Sequence, residues 1–203
     1  MFKNDQKGFT LLELTVVIAI VILLSGIVLT NYQVGEREYA LLRSAYKLAQ
    51  DLRTAEKMAM ASEMLPSSFD GVGGFPKGGY GIYFQNASSS YILFADCDGD
   101  KEYDASGAAL SCADAAIPGH PPYPEKIKDL FLEEKIKISN LELFSTTTGT
   151  TTVSSFSVTF FPPDPVIKII SDSHEYDLAT ITLTYDGKTK TVKINTVGLI
   201  EID

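Results

Sequence analysis

Basic side chains are what this sequence is short of: 17 lysines and arginines stand against 26 aspartates and glutamates, a formal charge of -9 over 203 residues. That balance removes the sequence-independent attraction to phosphate on which most nucleic-acid binders rely, so nucleic acid is not an expected partner. Cysteine is also scarce. The two residues, Cys97 and Cys112, cannot build a disulfide scaffold or a four-thiolate zinc site, and leave room for a single bridge in an oxidising compartment. Histidine occurs twice, as His120 among prolines and His174 in Ser171-Asp172-Ser173-His174-Glu175, with no nucleophile elbow beside either and no zinc spacing to the cysteines. Both histidines read as surface residues, no catalytic constellation remains, and the expected protein is not an enzyme. Disorder is excluded too, because 45% apolar against 21% charged residues is enough to bury a core of one or two domains.

Long apolar runs are absent except at the N-terminus. Phe9 to Leu29 reads FTLLELTVVIAIVILLSGIVL, with Glu13 its one charge and no proline. Carried through Thr30 it counts 22 residues, which as a helix span about 33 Å, close to the hydrocarbon thickness of a bilayer. Lys3 and Lys7 precede the run and Glu36, Arg37 and Glu38 follow it, so the positive-inside bias places the short N-terminus in the cytoplasm and the rest outside. Asp5 and Glu13 cancel the two lysines, and the whole -9 falls in residues 35–203, a poor match to an anionic membrane face. The expectation is a single-pass protein with an extracytoplasmic domain. An ordinary signal peptide has a shorter apolar core and a polar stretch ending in small residues before its cut, whereas here helix-forming sequence continues. A carboxylate within a membrane helix costs several kcal/mol and marks a functional site by default. For Glu13 two readings stay open, that one and simple snorkelling towards the headgroups.

Beyond the apolar run, Leu41, Ala45, Leu48, Leu52, Ala55 and Ala59 recur at spacings of 4 and 3, one face of an amphipathic helix. Pro66 and Gly71, Gly73 and Gly74 stop it. Unbroken from Phe9 to Met64 this helix would be about 84 Å long, with Ser25-Gly26 a flexible point. From Tyr80 the period becomes two. Tyr80 to Phe84 and Tyr91 to Phe94 read as a hairpin around Asn86 to Ser90, and further strands are expected near 135–138, 156–161, 166–170, 180–185, 189–194 and 199–202. Asp186-Gly187 is a two-residue hairpin turn, while Ser145 to Ser155 and Pro118 to Pro124 read as loops. The fold class is α+β: a long N-terminal α-helix, half transmembrane and half amphipathic, packed on an antiparallel β-sheet head.

Asp96-Cys97-Asp98-Gly99-Asp100-Lys101-Glu102-Tyr103-Asp104 is the densest run of oxygen donors. Calcium takes six to eight oxygens, and Asp96, Asp98, Asp100, Glu102 and Asp104 alternate around a glycine turn, although the glycine position and the lack of a twelfth-position glutamate exclude an EF-hand. No other cofactor is expected, and calcium binding and a solvated Asp/Gly turn both remain open. Cys97 and Cys112 enclose the run; a bridge between them would stabilise by about 3 kcal/mol in the loop-entropy model if the exterior is oxidising. Two unpaired thiols are the alternative. Asn86-Ala87-Ser88 fits a glycosylation acceptor, a triplet common by chance.

Lys7-Gly8-Phe9-Thr10-Leu11-Leu12-Glu13 resembles the type III signal of type IV prepilins and type II secretion pseudopilins, with leader length, glycine, phenylalanine and acidic residue in register. The resemblance implies a leader at 1–8 removed after Gly8 by prepilin peptidase, N-methylation of Phe9, and pairing of Glu13 with a neighbouring subunit's new amine. Residues 9–30 would form the membrane and assembly helix, 31–65 its amphipathic continuation and 66–203 the head. One helix followed by antiparallel strands also resembles the H-type minor pseudopilins and related minor pilins, as do Asp51 to Ala55, Val158 to Pro162, and Val192 to Ile194 leading to Gly198-Leu199-Ile200. Implied partners are other pilin or pseudopilin subunits, the peptidase, an inner-membrane assembly platform and secreted cargo. The implied location is the bacterial inner membrane, single pass, and then a periplasmic or cell-surface fibre. The family often has proline where Thr30 stands here. Pseudopilus and type IV pilus are not separated by these residues, and a membrane-anchored calcium-binding or hydrolytic domain with an uncut anchor is the alternative from another class.

Overall fold

The computed structural model describes residues 8–65, 74–104, 125–162 and 166–203, with residues 29–34 described by backbone alone. Helix α1 (Leu11–Met60) opens the fold and runs through Ser25-Gly26 without interruption. Thr10 starts it: the Glu13 backbone N–H donates to Thr10 Oγ1 at 3.3 Å and the Thr10 N–H reaches back to Glu13 Oε2 at 3.5 Å, the reciprocal arrangement of a capping box. The helix stops four residues before the expected Met64. Ser62 takes φ of 49°, its N–H donates to Ala59 O at 3.0 Å, and the Glu63 N–H donates to Met58 O at 3.0 Å, the paired bonds of a Schellman end formed here without glycine.

The chain forms two compact units, Met1–Tyr39 and Ala40–Asp203. In the first, Leu11–Val28 is an 18-residue stretch of mean hydropathy 2.8, long and apolar enough to cross a membrane, with none of it buried. The second holds the remainder of α1 and every described strand.

Among the described residues eleven strands build two antiparallel sheets instead of one. The first sheet contains β1 (Gly79–Gln85), β2 (Ser90–Asp96), β3 (Lys126–Phe131), β6 (Ser155–Phe161), β7 (Val166–Ser171) and β8 (His174–Tyr176), in the order β3-β2-β1-β6-β7-β8. The second contains β4 (Lys137–Ser145), β5 (Gly149–Thr152), β9 (Leu178–Tyr185), β10 (Lys188–Asn195) and β11 (Ile200–Ile202), in the order β11-β10-β9-β4-β5. Alternation aims Tyr80, Ile82, Phe84, Val158, Phe160 and Ile169 from the first sheet, and Leu141, Leu143, Ile181, Leu183 and Val192 from the second, into one core with Leu41, Leu48 and Leu52 of α1. Ala45, Ala55 and Ala59, fully buried on the same helix face, let the backbone approach closely. Polar ties hold the helix along its side: the Tyr91 hydroxyl donates to Asp51 Oδ2 at 2.6 Å, and Arg43 pairs with Glu133 at 2.9 Å.

Three departures from the expected strands have local causes. The strand expected at 135–138 runs on to Ser145 as β4, because a bulge between Ile138 and Asn140 breaks the alternation and then restores it at Leu141 and Leu143. Within the Ser/Thr stretch read as a loop, Gly149–Thr152 forms the edge strand β5; it buries nothing apolar, so it carries no hydrophobic signal. His174, read in a polar turn, begins β8, with Asp172 and Ser173 at positive φ supplying the turn before it. Asp186 and Gly187, at φ of 47° and 80°, make the expected hairpin turn between β9 and β10.

Candidate functional site

At the N-terminus, Gly8, Phe9 and Thr10 precede α1 and all are exposed. A Cβ added to Gly8 would meet nothing within 4 Å and its φ lies outside the left-handed region, so the fold itself places no demand for glycine there. Glu13 is exposed at the first turn, where its charge also suits the positive end of the helix dipole. The carboxylate therefore reaches back along its own chain to the peptide group immediately after Phe9.

At the other site the acidic run crosses the first sheet as a strap. Asp96, at the end of β2, is fully buried and accepts Gly99 N–H at 2.7 Å on one oxygen and Lys101 N–H at 2.8 Å on the other. Glu125, equally buried, accepts Cys97 N–H at 2.9 Å and Asp104 N–H at 3.0 Å. Tyr103 pins the strap to the sheet: its N–H donates to Ser157 Oγ at 3.2 Å and its ring lies 4.9 Å from Tyr83 and 5.5 Å from Phe94 between centroids. Burial pushes the Asp96 carboxyl up to about 7 and that of Glu125 up to about 8, against the lowering effect of the backbone bonds, and neighbouring carboxylates add to the rise. Asp100 is raised as well, first by desolvation. Gly78 is required beneath Asp96, since a Cβ there would lie 1.6 Å from Asp96 Oδ2.

Two carboxylate groupings result. Asp96, Asp98 and Glu125 bring oxygens within 4.8 Å of one another, and so do Asp98, Asp100 and Asp104. Glu102 joins neither grouping, its Oε1 accepting the Ser173 N–H at 2.8 Å. Four of the five donors expected from the sequence thus meet, together with Glu125, which sequence reasoning missed. Nothing near Glu125 in the chain marks it, because its bond to Cys97 bridges 28 residues. Cys97, the residue after β2, is buried; Cys112, His120 and Pro118 to Pro124 lie outside the described residues.

A family model described as the prokaryotic N-terminal methylation motif matches residues 3–29. The chain carries a type IV pilin-type signal. A pilin-type signal implies processing by prepilin peptidase and assembly with other pilins, and its apolar helix fits an inner-membrane anchor. No curated protein and no solved structure matches the chain. Within the pilin-type signal, Thr10 is the residue that sequence reasoning overlooked. Its signature was legible, since Thr10-Leu11-Leu12-Glu13 has the threonine and glutamate spacing of a capping box ahead of an apolar run.

Proposed function

We propose that the protein is a structural subunit of a fibre, a minor pilin or pseudopilin of the H type, and not an enzyme. On this reading prepilin peptidase cuts after Gly8, the new amine at Phe9 is methylated, and the subunit waits in the bacterial inner membrane with its head outside. An assembly platform then moves it into a type II secretion pseudopilus or a type IV pilus, where the head can meet secreted cargo.

One observation carries the reading: directly behind Gly8 and Phe9 lies an 18-residue apolar stretch in which no residue is buried. A surface of that kind is stable only against acyl chains or against other helices, and a fibre subunit exchanges one for the other. Glu13 then supplies register, because a carboxylate in a dry helix bundle is costly unless it meets a cation such as a neighbour's N-terminal amine. Intact-mass measurement of protein from a host with the peptidase is the test. Loss of residues 1–8 with an added methyl group is expected, whereas a leader retained at full length overturns the reading in favour of an uncut anchor.

A second reading concerns the strap alone. The meeting of two buried carboxylates, Asp96 and Glu125, with Asp98 favours a hard cation, calcium first, which would neutralise them and complete its shell with backbone oxygens and water. A bridge from Cys97 to Cys112 would tie the strap to the segment that follows it.

A further inference from the structure

The three-lysine cavity beside the strap has no part in the reading above. Thr159 of β6 and Lys168 of β7 stand opposite each other in register and form its floor. Lys77, just before β1, and Lys101, on the strap, bring two more cations to the cavity, which has a volume of about 280 Å³. Among the described residues no carboxylate lines it, on a chain whose formal charge is -9. Lys168 Nζ holds Glu175 at 2.6 Å, while Lys77 and Lys101 make no ion pair among the described residues. A second and independent observation points the same way. Thr159 is 1% exposed, and its Oγ1 is a buried side-chain oxygen without a hydrogen-bond partner among the described residues. A buried hydroxyl left unsatisfied costs about 1–3 kcal/mol, so an acceptor arriving in the cavity would recover what the fold leaves unused.

We propose that this cavity receives the carboxylate side chain of an acidic peptide segment on a partner protein. Lys77 and Lys101 neutralise the charge, Lys168 adds to the field, and the Thr159 hydroxyl donates the one neutral hydrogen bond. A carboxylate suits the donors better than a phosphate does. Phosphate is typically cradled by convergent backbone N–H groups, and here the N–H groups of Gly78 and Gly99 are already spent on the Asp96 carbonyl and carboxylate. The volume sits at or below the lower end of ordinary small-molecule sites, about 300–1,000 Å³, which fits one side chain. Phe161 and Val166, both exposed at the lining, give apolar residues flanking that acid a surface to lie on, which a free small acid would not use.

The test uses the full chain in phosphatidylcholine nanodiscs and a dye-labelled, acetylated and amidated peptide, Gly-Phe-Glu-Val-Gly, read by fluorescence polarisation beside its glutamine counterpart. Expected are saturable binding of the glutamate peptide that weakens with salt, and at least tenfold weaker binding of the glutamine peptide. Lys77→Ala with Lys101→Ala should weaken the glutamate peptide at least tenfold, and Thr159→Val severalfold, both with unchanged melting temperature, while Lys190→Ala leaves binding as it was. If the double variant melts early, Lys77→Met with Lys101→Met replaces it, keeping the side-chain stems. Equal binding of the two peptides, no binding at millimolar peptide, or indifference to the lysine variants would overturn the proposal. Displacement by inorganic phosphate at concentrations below those of the peptide would reassign the cavity to a phosphate and overturn it equally.

Discussion

Asp96 and Glu125 are buried carboxylates with no ion pair among the described residues, held by backbone N–H groups and raised to about 7 and about 8. In the unfolded chain both titrate near the ordinary carboxylate range, so the folded state binds more protons between roughly pH 4 and 8. Their contribution is fully present below the unfolded values and is lost as pH rises through the folded ones. With chelator present, the melting temperature should therefore fall as pH climbs from about 5 to about 8, and Glu125→Gln should flatten that slope. Millimolar calcium at pH 8 should raise the melting temperature, by about 2.7 kcal/mol of linkage at a hundredfold excess over the dissociation constant. Asp98→Ala with Asp100→Ala should remove the rise, and no rise in the unmodified protein would return the strap to a solvated turn. Gly78→Ala, which drives a Cβ into the Asp96 carboxylate, should cost about 1–3 kcal/mol in a denaturant melt, as overpacking does. The alternating aspartates were legible in the sequence because they are neighbours in it. Glu125 and the crowding at Gly78 were not, because both arise only when distant segments meet.

At the scale of elements, α1 begins with a residue pair that does two jobs, and substitution can separate them. Glutamine at position 13 keeps the reciprocal capping bonds but drops the charge. Glu13→Gln should therefore match Glu13→Ala in being cut and reaching the membrane normally while entering fibres poorly, measured as sheared-fibre content against membrane level. Thr10→Val should cost about 1 kcal/mol of helix end stability and leave incorporation largely intact. Incorporation of Glu13→Gln at normal levels would make the carboxylate a cap and nothing more. For the strap, protein from an oxidising exterior should weigh two hydrogens less than its reduced form if Cys97 and Cys112 pair. The helix and the central strands were readable because Leu41 to Ala59 and the runs in β1, β6 and β9 each bury one periodic face. Edge strands β3, β5 and β8 bury little or none and were missed, and β4 was cut short where its bulge disturbs the period.

Across the whole molecule, the chain lays β1 to β3 in the first sheet, β4 and β5 in the second, β6 to β8 back in the first and β9 to β11 in the second. Each return inserts a central neighbour: β6 pairs with β1, placing Phe160 opposite Tyr80, and β9 pairs with β4, placing Ile181 opposite Leu141. A stop after Tyr176 should accordingly abolish the cooperative thermal transition and leave the residue to proteases, rather than yield a smaller stable head; a truncated chain that still melts sharply would refute this. Pairings so far apart in sequence close slowly, in the millisecond-to-second range of non-local topologies. The same interleaving orders events in time. The first sheet is complete only at β8 and the second only at β11, and both face one core, so a chain delivered outside N-terminal part first closes no core until its last strands arrive. Emergence and closure of the head then follow one another as successive steps instead of competing.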